Sequence, residues 1–442
     1  MAAKPAGANA LAFIFVTVLI NMIGFGVVMP VMPQLIMEVT GEDLSHAARW
    51  GGRLTLVYAA MQFFMSPVMG ALSDRFGRRP IILGSLAAYS VDFLLMALAP
   101  TIGFLLLARI LAGAFAATFS TANAFIADIS PPEKRAANFG LMGAAFGLGF
   151  IIGPALGGII GDALGPRAPF FAVAGLGFCN LVYGFLLLPE SLAPENRRAF
   201  EWKRANALGN FLRFRQYPML LPIAGAIFFY QVGHWTFPSV WAYYAEARFD
   251  WSPRDIGFSL MAVGLAAAIV QGGLARVVIP AIGERAAALI GLAVAVVIYA
   301  AYGLVSEGWM VYVLIPLGAL AGFTLPALQG IMSRTLPADS QGELQGALGS
   351  IMGVSMIVGP YLMTQVFAAF NEPGEPFSIA GITILPQGAP VHLPGASFLL
   401  ASLLAFAAIL SLVGAFGNIR RPRAGAPTAT QAAPGKAPAA GE

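Results

Sequence analysis

One cysteine, three histidines and very little charge are spread over this 442-residue chain. A single cysteine, Cys179, excludes an intrachain disulfide and a cysteine-built metal cage. It lies inside an apolar run, where it reads as a small buried hydrophobe. The histidines, His46, His234 and His392, are far apart in the sequence and show no metal-type His/Glu spacing. Charged residues make up 10% of the chain, against roughly 25% in a soluble domain. With 58% hydrophobic residues and a mean hydropathy of +0.78, the chain has too few polar side chains to cover its apolar surface. Lipid is therefore its expected solvent. The basic residues are scattered, so nucleic acid is not an expected partner, and neither a metal nor a cofactor is implied.

What the chain has in quantity is long apolar runs. A spanning helix needs about 20 mostly apolar residues. Twelve such spans are expected, at 10–33, 52–72, 80–99, 102–126, 138–161, 168–188, 218–245, 255–279, 286–305, 309–333, 343–369 and 396–417. The runs lack barrel-type alternation. The first is too long for a signal core and has no basic stretch before it, so it is expected to stay in the mature protein.

Lys and Arg set the orientation. If the N-terminus is cytoplasmic, nineteen of them fall inside: Lys4, Arg75, Arg78, Arg79, Lys134, Arg135, Arg197, Arg198, Lys203, Arg204, Arg213, Arg215, Arg276, Arg285, Arg334, Arg420, Arg421, Arg423 and Lys436. Five fall outside: Arg49, Arg53, Arg167, Arg248 and Arg254. Both termini are thus expected in the cytoplasm. The longest basic connection suggests an N-terminal six-helix bundle (1–189), a central cytoplasmic loop (190–217), a C-terminal bundle (218–419) and a disordered tail (420–442). The halves echo each other: Gly70 to Arg79 follows the second span, and Gly273-Leu-Ala-Arg with Gly283-Glu-Arg follows the eighth. The Pro- and Gly-rich insert from Asn371 to Pro394 reads as an outer cap.

Three sets of residues point to function. The loop Gly70-x-x-x-Asp74-Arg75-x-Gly77-Arg78-Arg79 combines a tight turn with a basic cluster, and Asp128 at the end of span four is placed to join Asp74 and Arg78. In span five, Gly143, Gly147, Gly149, Gly153, Pro154, Gly157 and Gly158 suit close helix approach with a bend. Arg109, with Gly113 one turn on, is an intramembrane cation that costs roughly 2.5–3.5 kcal/mol on insertion scales. Asp92 is the acid placed well inside a span. Asp92 lies about seven residues before the turn between spans three and four and Arg109 about seven after it, so both fall near 10 Å below one surface. Such a pair can carry a proton or serve as a static bridge. His234 is a second proton-exchange candidate, or a packing residue. Asn21, Gln62, Gln231, Gln271 and Gln329, with Trp235 and its phenylalanine neighbours, suggest an apolar pocket with few polar contacts.

The loop motif resembles the signature of the major facilitator superfamily, and the span-five glycines resemble its antiporter branch. Met29-Pro30-Val31-Met32-Pro33, Leu325 to Gly330, Gln341 to Gly346, Gly359-Pro360, Ser306 to Trp309 and Arg248-Phe249-x-Trp251 are similar to the tetracycline/proton antiporters over about residues 10–370. The resemblance implies an all-α membrane protein of two pseudo-symmetric six-helix bundles, with a loop that latches the cytoplasmic side shut in the outward-open state. It implies a bacterial inner membrane protein exchanging a small molecule for protons, as a monomer. It also exposes departures. Asn21 stands where the branch commonly has an acidic residue, Ala267 where it has a histidine, and Ala295 where it has an aspartate.

Two transporter readings follow: proton-coupled efflux of small amphipathic compounds, or export or exchange of an endogenous metabolite. An intramembrane enzyme would need clustered ligands or a nucleophile beside a base, and the three histidines and Cys179 supply neither. A receptor or purely structural role fits poorly with the loop and span-five motifs, which imply moving parts.

Overall fold

The computed structural model describes residues 8–116, 118–200, 220–336, 340–379 and 381–419. Lys4, most of the central connection from residue 201 and the tail 420–442 lie outside the described residues. The first half comprises α1 (Ala8–Thr40), α2 (Leu44–Phe76), α3 (Arg78–Leu98), α4 (Ile102–Ala114), α5 (Thr118–Ile129), α6 (Pro132–Leu164) and α7 (Ala168–Leu187). The second comprises α8 (Leu221–His234), α9 (Thr236–Phe249), α10 (Pro253–Ile269), α11 (Ala275–Ile282), α12 (Glu284–Leu304), α13 (Gly308–Ala319), α14 (Thr324–Thr335), α15 (Gln341–Asn371) and α16 (Ala396–Ile419).

Among the described residues, eleven helical segments are long and apolar enough to cross a membrane. The twelfth span is divided. Helices α8 and α9 abut at Trp235, because Pro238 in the first turn of α9 has no N–H to continue the ladder back to His234. Three other spans are also composite: α4 passes to α5 after residues 115–116, α10 passes to α11 through a π-helical turn at Val270–Leu274, and α13 passes to α14 through a 3-10 turn at Leu320–Phe323. These twelve spans form the two-bundle fold of an all-α integral membrane protein. Large apolar side chains such as Leu186, Val297 and Leu403 lie exposed on its sides, as lipid contact requires, and Cys179, expected to be buried, is exposed as well.

The expected end of span one at Pro33 is too early. Helix α1 runs to Thr40 through both Pro30 and Pro33. Neighbouring helices re-satisfy the carbonyls that proline frees, so a buried membrane helix tolerates it. Span five likewise starts at Pro132, six residues before the expected 138, with Pro131 and Pro132 at its N-terminus, where a missing N–H is harmless.

The sequence echo between the halves has a structural counterpart. Gly77 links α2 to α3 with φ 107°, and Gly283 links α11 to α12 with φ 81°. Each is a single residue turning the chain between helices, in a region that L side chains rarely adopt. Arg78 then reaches Asp128 at the end of α5, and Glu284 reaches Arg334 at the end of α14, 3.1 Å away. Glycine, helix-start charge and helix-end partner recur at one constant separation of 206 residues, with the charges exchanged.

Small residues decide how the helices approach. A Cβ on Gly153 would fall 2.5 Å from the carbonyl oxygen of Ile23, and one on Gly157 2.5 Å from that of Val27. One on Gly149 would strike Met22, so this face of α6 lies directly on α1. Gly158 faces the other way, against Pro253 and Gly257 of α10, in the second half. Gly143 and Gly147 meet nothing within 4 Å. Gly113 brings α4 onto the backbone of Tyr58 in α2. The insert before α16 forms a hairpin, β1 (Phe377–Ile379) antiparallel to β2 (Ile382–Leu385), with Phe377 opposite Leu385. Phe377 packs with Val366, Ala369 and Ala396, closing over the ends of α15 and α16.

Candidate functional site

A central cavity of about 180 Å³ lies between the halves. Its first-half wall includes Asn21, Phe25, Tyr58, Tyr89, Asp92, Phe93 and Arg109; its second-half wall includes Trp235, Phe237, Trp241, Tyr243, Met356 and Pro360. The lining is mostly apolar, a third of it aromatic, and it holds one buried ion pair. Arg109 donates to Asp92 Oδ1 at 2.6 Å, and the Arg109 guanidinium carbon stands 5.7 Å from the Tyr58 ring centroid. Asp92 is 2% exposed. The short turn from Leu98 to Ile102 makes α3 and α4 antiparallel neighbours, which sets the two residues at one depth. Among the described residues, Arg109 Nε is buried without a hydrogen-bond partner, as are Ser85 Oγ on the same wall and Tyr243 Oη on the opposite one. Those three groups can donate to a bound molecule.

The other residues singled out in the sequence are dispersed. Asn21 lines the cavity, with its amide donating to Thr17 O on its own helix at 2.8 Å. Trp235 lines it at the α8/α9 break and packs on Gly359. Gln62 lies on α2 beside Gly113, its Oε1 buried and without a hydrogen-bond partner among the described residues. Gln231 is buried in α8, and Gln329 is half-buried in α14. Gln271 lies in the π-helical turn next to Gly322. None of these four glutamines is in the cavity lining. His234 is not brought to Asp92. Its Nδ1 lies 3.3 Å from the Tyr299 hydroxyl, and its ring stacks on Tyr230. The sequence reading missed the rings of Tyr58, Tyr89, Trp241 and Tyr243; the available signal was their place inside apolar spans.

The loop motif folds into a compact charge cluster. Asp74 ends α2 and binds Arg78 at 2.6 Å; Arg78 Nε reaches Asp128 Oδ2 at 3.2 Å, and Arg78 Nη1 donates to Ser73 Oγ at 3.0 Å. Arg75 lies over the Phe76 ring, and Arg79 donates to Phe185 O. Gly70 is inside α2, away from the turn, with nothing within 4 Å. The sequence reading also missed Glu190. Its two oxygens accept from the backbone N–H groups of Arg78 and Arg79 at 2.8 and 3.2 Å, satisfying the open N-terminus of α3. A Cβ on Gly77 would collide with this carboxylate, a second reason for glycine there. The signal was an acid at the end of the sixth apolar run, on the same side as the arginines.

The halves close at the face opposite this loop. Asn371 donates to Ser45 Oγ at 2.9 Å, Gln365 donates to Arg49 O at 3.3 Å, and Arg49 binds Glu375 at 2.6 Å. Gly51 and Gly52 meet Tyr243 and Thr364. Asp43 caps α2 here. Partial burial works against its charged form, but donors from His46 and Ser45 outweigh this and hold its carboxyl below the ordinary value. At the loop face, residues 133–137 at the start of α6 are exposed, as are most of α11 and Arg285 in the first turn of α12. The halves are thus held together at the face that bears Asp43, opposite the face that bears Arg78.

A twelve-span, two-bundle chain with a cavity between its halves and this loop cluster has the form of a secondary transporter. The Major Facilitator Superfamily model matches residues 14–360, and the chain belongs to that family. It is 38% identical to the class C tetracycline resistance protein of Escherichia coli over 361 residues, 82% of this chain and 90% of that protein. It is 35% identical to the class B protein of the same organism, covering 80% of this chain and 87% of that one. Among solved structures, a bacterial homologue of the human lysosomal transporter Spinster, in an inward-facing and unoccupied conformation, matches with a TM-score of 0.70 at 18% identity over 93% of this chain and 96% of that one, which shows the fold.

Proposed function

We propose that the chain is a proton-coupled antiporter that exports small amphipathic compounds across a bacterial inner membrane, as a monomer with both termini and the loop face in the cytoplasm. The observation that carries this reading is the Asp92–Arg109 pair in the cavity wall. Protonating Asp92 releases Arg109, whose guanidinium can then turn toward a bound molecule or the Tyr58 face; deprotonation restores the pair. Proton load and substrate occupancy therefore act on the same groups, which is what exchange requires. The apolar lining suits an apolar body, and the unpartnered donors at Arg109 Nε, Ser85 and Tyr243 suit a few acceptors on it. The loop cluster acts as the cytoplasmic gate, and the division into two moving bundles falls in the connection after residue 189.

The test is uptake into proteoliposomes under an imposed pH gradient, across a compound panel. Asp92→Asn is expected to abolish accumulation against a gradient and to retain downhill exchange. A well-folded Asp92→Asn protein that still concentrates substrate would falsify the assignment. Export or exchange of an endogenous metabolite is the second reading, favoured by Asn21, Ala267 and Ala295, where tetracycline antiporters commonly carry coupling residues. A chain that moves a metabolite and none of the drug panel decides for it.

A further inference from the structure

The geometry points to a divalent transition-metal site of the zinc class that bridges the two halves where they are held together, formed by Asp43, His46 and Glu372. One ligand atom from each lies within 4.8 Å of the other two. Asp43 and His46 come from the first turn of α2, and Glu372 follows the last residue of α15, more than three hundred residues away in the sequence. Ligand atoms around one zinc ion at about 2.0–2.2 Å stand roughly 3.4 Å apart, so modest side-chain rotation completes the site.

One observation beyond the proximity of the three ligands separates this cluster from a surface coincidence. Asp43 Oδ1 is used by the helix cap, accepting from the N–H groups of Ser45 and His46, and Oδ2 lies 3.0 Å from His46 Nδ1. Capping explains that pair, and it leaves Glu372 without a role. Glu372 Oε2 is closed off from solvent and has no hydrogen-bond partner among the described residues. A shielded carboxylate oxygen without a donor calls for a cation or a proton. The Arg49 guanidinium comes within 3.5 Å of His46 Nε2 and is held by Glu375. With neutral His46, the three ligands carry two negative charges. Two carboxylates and one imidazole favour a borderline cation of the zinc class over magnesium or calcium, which prefer all-oxygen sets.

The hydrogen bond from Asn371 to Ser45 holds the end of α15 against the start of α2, so the ligands meet when this face is shut. When the halves part there, Glu372 leaves Asp43 and His46. A metal that binds the closed arrangement must favour it by the ratio of its affinities for the two states. The cation thereby slows the exchange of faces from the side bearing Asp43. This inference does not depend on which compound is transported.

The experiment is zinc titration of the purified full-length chain, free of any histidine tag, by calorimetry. One zinc ion per chain is expected, with binding weakened at least tenfold in both His46→Ala and Glu372→Gln and unchanged in His392→Ala. The conformational readout uses spin labels at Glu42→Cys and Gln387→Cys in a Cys179→Ser background. Zinc is expected to enrich the short-distance population and a chelator to reverse it, with no response in Glu372→Gln. Zinc binding of equal strength in Glu372→Gln, its loss in His392→Ala, or no zinc effect on the distances overturns the bridging site.

Discussion

Asp92 and Arg109 share one neutralised site in a place where neither charge could stand alone. Removing the carboxylate of a buried pair strands a cation, and removing the guanidinium strands an anion; either loss costs about 3–5 kcal/mol. Arg109→Ala is therefore expected to lower the thermal unfolding temperature in detergent sharply, and Asp92→Asn to do so less, because an amide can still accept from Arg109. The paired substitution should fall short of the sum of the two. A second expectation at this scale concerns substrate. With Asn21 bonded to Thr17 and alanine at positions 267 and 295, expression in a susceptible host is expected to give weak or no tetracycline resistance. High-level resistance that requires the chain would show that those positions matter less than their chemistry suggests. The depth of Asp92 and Arg109 was legible from residue counting about a short turn. The orphaned donors at Ser85 and Tyr243 were not, because satisfaction of a hydroxyl depends on neighbours from other helices.

At the scale of the element, α6 and the turn into α3 separate glycines that packing requires from those it does not. Gly153→Ala and Gly157→Ala each drive a methyl group into the α1 backbone, and a loss of about 1–3 kcal/mol is expected. Gly147→Ala meets open space and is expected to be neutral or stabilising by up to about 1 kcal/mol. Unfolding midpoints in detergent distinguish the three. All belong to the same glycine run, and only the facing of α6 toward α1 and α10 divides them. Glu190→Ala removes the acceptor for the first N–H groups of α3. A stability loss of about 1–2 kcal/mol is expected from this capping defect, read as a lower unfolding midpoint. Asp74→Asn, by contrast, is expected to impair transport while leaving the amount of membrane-inserted protein unchanged. Equal effects of both variants on transport and stability would reduce the loop to a structural turn.

For the whole molecule, two hydrogen bonds and an ion pair define the face at which the halves are closed. Ser45→Cys with Asn371→Cys, in the Cys179→Ser background, places two thiols where a hydrogen bond of 2.9 Å joins the halves. Oxidation is expected to form a disulfide and stop transport, and reduction to restore it; continued transport in the cross-linked protein would mean that this face need not open. The sequence by itself determined the lipid environment, the number of spans and the repeat, because apolar length and glycine turns are properties of local chain segments. It also determined that one acid and one arginine share a depth, since helical rise is constant. Tertiary structure alone decided that α1 continues past two prolines, that the span after the central connection breaks at Trp235, and that Glu190 caps α3. It alone brought Glu372 to Asp43 and His46 and chose the face at which the halves meet. Each of those outcomes depends on which surfaces of distant segments touch, and no periodicity within a single segment encodes that contact.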